Sequence, residues 1–188
     1  MYLIYNYKYI YKLGKKNNFK EKMYPSWSQN GPNKQYNLSA TKKAIGWQEI
    51  NKKWYFFNKD GNMVTDVWLS DKNNWYYFDN NGEMVKDEWR MYNDDWFYCD
   101  EDGKMLNSVW IKFDDTWYYL DQNGKMVKER WIKYNKKWFY INKDGCMAKD
   151  TYIMRKNKIL YVNDKGELSG EIKKNKNELK LEKIYNIL

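Results

Sequence analysis

The chain has 188 residues, with 11 Trp, 19 Tyr, two Cys, no His and a formal net charge of +9. Without imidazole there is no Ser-His-Asp or Cys-His catalysis and little scope for a zinc site, and two thiols are too few for a disulfide framework. No apolar run approaches the roughly 20 residues that a membrane-spanning helix needs.

Residues 1–45 carry nine Lys and one Glu and read as a basic N-terminal arm. Met1 to Leu13 is partly apolar but is interrupted by Asn6, Lys8 and Lys12, and no small-residue cleavage site follows. It reads as a poor signal peptide, which fits a fragment or a phage-type protein released by lysis. Trp27 stands 20 residues before Trp47 and Tyr36 nine after Trp27, a weak trace of a decayed repeat.

Residues 46–170 carry the main signal. Trp47, Trp68, Trp89, Trp110 and Trp131 recur every 21 residues, and Tyr152 follows in phase. Seven residues after each come Trp54, Trp75, Trp96, Trp117 and Trp138, then Ile159; two further on come Phe56, Tyr77, Tyr98, Tyr119, Tyr140 and Tyr161. Gly61, Gly82, Gly103, Gly124, Gly145 and Gly166 keep the same register, as do Met63, Met84, Met105, Met126 and Met147, with Leu168 last. Six units in phase indicate a repeat architecture. Each unit reads as two short strands joined by a polar turn such as Asn93-Asp94-Asp95, and closed by an Asp-Gly or Asn-Gly reversal. The position filled by Phe57, Phe78, Cys99, Leu120, Ile141 and Val162 is always apolar but varies in kind, as a core position does. A unit of this size cannot bury its own apolar face, so the expected fold is all-β, a solenoid of about six stacked β-hairpins. The sixth unit reads as a degenerate cap.

The 46–170 segment holds 20 basic and 21 acidic side chains, so its rings are not interleaved with excess positive charge and a nucleic-acid partner is not expected. Trp and Tyr faces attract cations, and aromatic cages suit quaternary ammonium groups, which have no N–H to donate. Five boxes of two tryptophans and the tyrosine of the next unit are expected: Trp47, Trp54 and Tyr77; Trp68, Trp75 and Tyr98; Trp89, Trp96 and Tyr119; Trp110, Trp117 and Tyr140; Trp131, Trp138 and Tyr161. Met84, Met105, Met126 and Met147 are candidates for a soft floor to the cage, or for interior filler. The competing reading of the tryptophans is core packing between layers. Asp94-Asp95 and Asp114-Asp115 fall where other units have Lys pairs, so they read as solvated turn residues rather than a metal or acid–base site. Cys99 falls in a core phase and Cys146 in a turn phase, so both are expected to be free thiols.

These units resemble the cell-wall-binding repeats of the choline-binding module family. The match is clearest from Trp68 to Met84, where Trp, six residues and Trp-Tyr-Tyr-Phe-Asp lead into Asn-Gly and Met, and it covers residues 46–170. The resemblance implies a superhelix of hairpins, with choline of a cell-wall polymer as the partner. It also implies a surface or cell-wall location and no catalytic residue, cofactor or metal; a homodimer is left open. Related repeats in glucan-binding domains and clostridial toxin tails bind carbohydrate, which stands as the alternative ligand, although those repeats usually lack one of the two tryptophans. The family's Gly before the leading Trp is present only as Gly46, with Val67, Glu88, Val109, Arg130 and Thr151 at the later positions, which bears on the turn between units. The tail, residues 171–188, mixes Lys and Glu with Leu and Ile and reads as a last hairpin or a short helix.

Overall fold

A computed structural model describes residues 24–155 and 158–173, and all of their regular elements are strands. The strands come in consecutive antiparallel pairs: β1 (Ser26–Asn30) with β2 (Asn33–Asn37), β3 (Gly46–Ile50) with β4 (Lys53–Phe57), and β5 (Val67–Asp71) with β6 (Asn74–Phe78). Then follow β7 (Glu88–Tyr92) with β8 (Asp95–Cys99), β9 (Val109–Phe113) with β10 (Thr116–Leu120), and β11 (Arg130–Tyr134) with β12 (Lys137–Ile141). The last sheet has three strands, β13 (Thr151–Arg155), β14 (Lys158–Val162) and β15 (Leu168–Lys173). The all-β hairpin architecture is the one expected, with one hairpin more at the front. In β1–β2, Trp27 lies opposite Tyr36, in the register that Trp68 and Tyr77 keep in β5–β6. At the far end β15 runs across the boundary expected at residue 170. Residues 174–188, and the N-terminal segment read as a poor signal peptide, lie outside the described residues.

The chain divides into two compact units, residues 1–46 with 57–63 and residues 47–56 with 64–188. In the first, the Met63 N–H donates to the Lys34 carbonyl at 2.8 Å, Gln35 donates to the Asn62 side chain at 2.7 Å, and Trp27 packs on Phe57 with ring centroids 6.0 Å apart. In the second, successive hairpins join in the same way. Met84 donates its N–H to the Trp54 carbonyl, and Met105, Met126 and Met147 repeat that bond to Trp75, Trp96 and Trp117, each at 2.8 Å.

Two-residue turns close the five hairpins from β3–β4 to β11–β12, and both of their residues take positive φ: Asn51 and Lys52 at 53° and 65°, Asn93 and Asp94 at 49° and 65°, Asn135 and Lys136 at 47° and 65°. Such turns match the right-handed twist of the flanking strands and favour Asn-Gly. Lysine at that φ carries steric strain between its Cβ and the carbonyl oxygen. Lys136→Gly is expected to raise stability by about 0.5–1 kcal/mol, the strain relieved exceeding the entropy lost; urea unfolding measures it.

The second reversal is built on one side chain. Asp79 Oδ1 accepts the N–H of Asn81 at 2.9 Å and of Glu83 at 2.8 Å, while Gly82 donates to the Asp79 carbonyl. Asn58, Asp100, Asp121, Asn142 and Asn163 do the same in their units. The missing Gly before the leading Trp is also accounted for. Gly46 has φ 73°, but in later units the left-handed residue sits one place earlier, at Asp66 (50°), Asp87 (47°), Ser108 (52°), Glu129 (46°) and Asp150 (43°).

The core lies where the variable apolar position placed it: Phe57, Phe78, Cys99, Leu120, Ile141 and Val162 are each 0% exposed. Each such side chain contributes roughly 1.5–3 kcal/mol of burial. Cys99 and Cys146 are both free thiols, and burial pushes the Cys99 thiol up to about 12. Along the edge of the second unit, ion pairs span residues 30 apart: Lys53 to Glu83 at 2.7 Å, Asp95 to Lys125 at 2.5 Å, and Lys137 to Glu167 at 2.6 Å. Asn74 with Lys104, and Thr116 with Cys146, fill the equivalent places between them. Of the acidic turn pairs, Asp115 meets Lys112 at 2.6 Å and Asp95 is held by Lys125.

Candidate functional site

Antiparallel register fixes which rings share a face. Trp68 lies opposite Tyr77 and Ser70 opposite Trp75, so the leading Trp, the second Trp and the following Tyr project to one side of the hairpin. Leu69 lies opposite Tyr76, and these project to the other side with Phe78. The same pairing holds in β7–β8, β9–β10 and β11–β12.

Hairpins meet with unlike faces. Trp47 contacts Tyr76 of the next hairpin at 4.9 Å between centroids, Trp68 contacts Phe97 at 5.3 Å, Trp89 contacts Tyr118 at 5.2 Å and Trp110 contacts Phe139 at 5.4 Å. The two tryptophans of one unit meet edge to face in the first and third repeats, Trp47 with Trp54 at 6.1 Å and Trp89 with Trp96 at 6.5 Å. In the other repeats, Trp68 with Trp75, Trp110 with Trp117 and Trp131 with Trp138 share a face by register. The leading tryptophans are half-buried between layers, whereas Trp75 and Trp138 are 46% and 42% exposed. Trp54, Trp96 and Trp117 are half-buried like the leading tryptophans.

The tyrosines expected as third walls sit elsewhere. Tyr77 rings with Trp68 at 5.1 Å and Tyr92 at 5.9 Å, and no ring contact joins it to Trp47 or Trp54 among the described residues. Tyr98, Tyr119 and Tyr140 likewise ring with Trp89, Trp110 and Trp131 of their own hairpins, at 5.3, 5.1 and 5.2 Å. Tyr161 pairs with Tyr152 at 5.0 Å. The ring that reaches back to the preceding tryptophans is the one before each of these tyrosines. At the fifth junction that position is Leu160, and Lys133 sets its ammonium 5.8 Å over Trp138. The methionines reach forward: a Cβ on Gly103, Gly124, Gly145 or Gly166 would meet the side chain of Met84, Met105, Met126 or Met147.

Tyr77, Tyr98 and Tyr161 donate their hydroxyls to Asp66, Asp87 and Asp150, the left-handed residues of the connectors. Burial, with the bond to the carboxylate, pushes Tyr77 and Tyr98 up from 10.0 to about 12. Their neutral forms therefore stabilise the fold in full below pH 10, and this contribution is lost as pH rises toward 12. Unfolding within that alkaline window is expected, with tyrosinate absorbance and loss of the far-ultraviolet circular dichroism rising together. The Trp47 indole donates to Asp71 at 3.1 Å, while the indole N–H groups of Trp68, Trp110 and Trp131 are buried without a hydrogen-bond partner among the described residues.

A family profile described as choline-binding repeat matches residues 44–89 and 106–152, and one described as putative cell wall binding repeat matches residues 87–105. Among solved structures, choline binding protein F from Streptococcus pneumoniae is 33% identical with a TM-score of 0.62, over 77% of this chain and 47% of that one. CbpJ from S. pneumoniae TIGR4 is 25% identical with a TM-score of 0.63, over 76% and 51%. A multimodular pneumococcal cell wall endolysin from phage Cp-1, complexed with choline, is 30% identical with a TM-score of 0.50, over 71% and 40%. The chain thus spans about half the length, 47% and 51%, of choline binding protein F and CbpJ. No curated protein matches it.

Proposed function

The chain belongs to the choline-binding repeat family, and from that premise we propose that it is a wall-binding module holding the choline of (lipo)teichoic acids between consecutive hairpins. The observation that carries the reading is the meeting of the leading tryptophan of one repeat with an aromatic ring of the next, while the second tryptophan stands on the same face of its hairpin. On this reading the boxes are Trp47, Trp54 and Tyr76; Trp68, Trp75 and Phe97; Trp89, Trp96 and Tyr118; and Trp110, Trp117 and Phe139. The junction after Trp131 and Trp138 offers two rings and Leu160, so it is the weakest of five. Tyr77 and its counterparts brace the leading tryptophans from the side rather than close the box.

A ring contact to a cation is worth roughly 0.5–2 kcal/mol, so one box gives an affinity of about millimolar order. Several boxes on one polymer bearing many ligands bind far more tightly through effective concentration. The module then targets or anchors whatever it is joined to at the bacterial surface, by binding rather than by chemistry. Titration of intrinsic tryptophan fluorescence tests this. Saturable quenching by choline, without a response to dextran oligosaccharides, is expected; a response to the glycan alone overturns the reading.

A further inference from the structure

Arg90 breaks the pattern of its position. The residue after the leading aromatic is Leu69, Ile111, Ile132 and Ile153 in four other units and Gln48 in the first, and Ile132 is 9% exposed. Arg90 brings a guanidinium to this apolar face, 5.3 Å over the Tyr77 ring, with a loose pairing to Glu88 at 3.5 Å through one terminal nitrogen. Its Nε is buried and has no hydrogen-bond partner among the described residues. An unmade hydrogen bond on a buried charged donor is costly. The missing acceptor is therefore sought in a ligand.

Arg90 lines a cleft of about 280 Å³ together with Lys52, Lys86, Trp54 and Met84. Three carboxylates line it too, and two are committed: Asp79 caps its turn and Glu83 is bonded to Lys53. Lys52 and Lys86 carry no ion pair among the described residues. Free positive charge thus stands beside Trp54, a wall of the first proposed box.

We propose that this cleft binds phosphocholine as a zwitterion, the ammonium against Trp54 and the phosphoryl oxygens on Arg90, Lys52 and Lys86. The proposal rests on the choline reading above and adds a phosphate subsite at one junction only, since no other unit has a cation at the Arg90 position. Guanidinium is suited to the task because its fork of N–H donors matches phosphate oxygens.

Calorimetric titration of the protein with phosphocholine and with choline tests it. One class of sites, near one per chain, is expected to take phosphocholine about tenfold more tightly than choline, as a charge-assisted hydrogen bond provides, and raised salt is expected to erode that preference. Arg90→Leu restores the residue type of the sibling units, so it is expected to fold, to keep choline binding and to lose the tight class. Superimposable isotherms for the two ligands, or a tight class that survives Arg90→Leu, overturn the proposal while choline binding persists. Loss of response to both ligands in the unaltered protein defeats the wall-binding reading instead. Retention on phosphatidylcholine vesicles assigns the group to a lipid headgroup, and retention on choline-bearing walls alone assigns it to a wall polymer, each in support. Retention on neither overturns it.

Discussion

Trp75→Ala is expected to silence one ligand site, lowering the number of bound choline molecules by about one, at a cost in stability under about 1 kcal/mol. Trp75 is 46% exposed, so little packing is lost with its ring. Trp89→Ala is expected to behave differently. Its indole touches Trp96, Tyr98, Phe113 and Tyr118, spanning two hairpins, and its removal opens a void at the junction. A loss of about 2–4 kcal/mol is expected along with the site. Choline stoichiometry and urea midpoints measured on both variants separate the two. If Trp75→Ala leaves the stoichiometry intact, the second tryptophan is not a wall of the box. If Trp89→Ala is as stable as the parent, the leading tryptophan is not the joint between layers.

Gly124→Ala is expected to cost about 2–4 kcal/mol, from left-handed backbone strain and overpacking together. Gly124 has φ +78°, and a Cβ there would lie 2.9 Å from the Leu106 carbonyl oxygen and 2.8 Å from Met105 Cε. The methionine can move, but the carbonyl belongs to the preceding repeat and moves only with it. Gly31 supplies the control, because it has φ +58° and nothing within 4 Å of the added carbon. Gly31→Ala carries the backbone strain alone, about 1–2 kcal/mol. Comparable losses in the two variants would show that close approach between repeats adds nothing.

The repeat was legible because its period is long and its marker residues are distinctive. The core was legible for the opposite reason: Phe57, Cys99 and Val162 differ in kind yet all sit at 0% exposure. The third wall proposed for the box was not. Sequence alternation separates Tyr76 from Tyr77, but it does not say that the Trp face of one hairpin packs on the opposite face of the next. That stacking order turns Tyr76 toward Trp47 and leaves Tyr77 beside Trp68. The front hairpin was faint because its second tryptophan is Lys34, whose ammonium lies 4.4 Å over Trp27. It keeps the fold with half of the sequence marker. The connector was obscured by one extra residue, which moves the left-handed position from a glycine to Asp66 and its counterparts.

A chain of near-identical hairpins has a problem of address, since every layer offers almost the same surface to any other. The thirty-residue ion pairs along the edge bear on it. If the β5–β6 hairpin were looped out, Lys53 would exchange Glu83 for Lys104 and meet a like charge. If the β9–β10 hairpin were skipped, Asp95 would exchange Lys125 for Cys146 and lose its counter-ion. Exposed pairs of this kind are worth at most about 1 kcal/mol each in the correct stack. Their larger effect is on the wrong one, where they tell each layer which neighbour comes next.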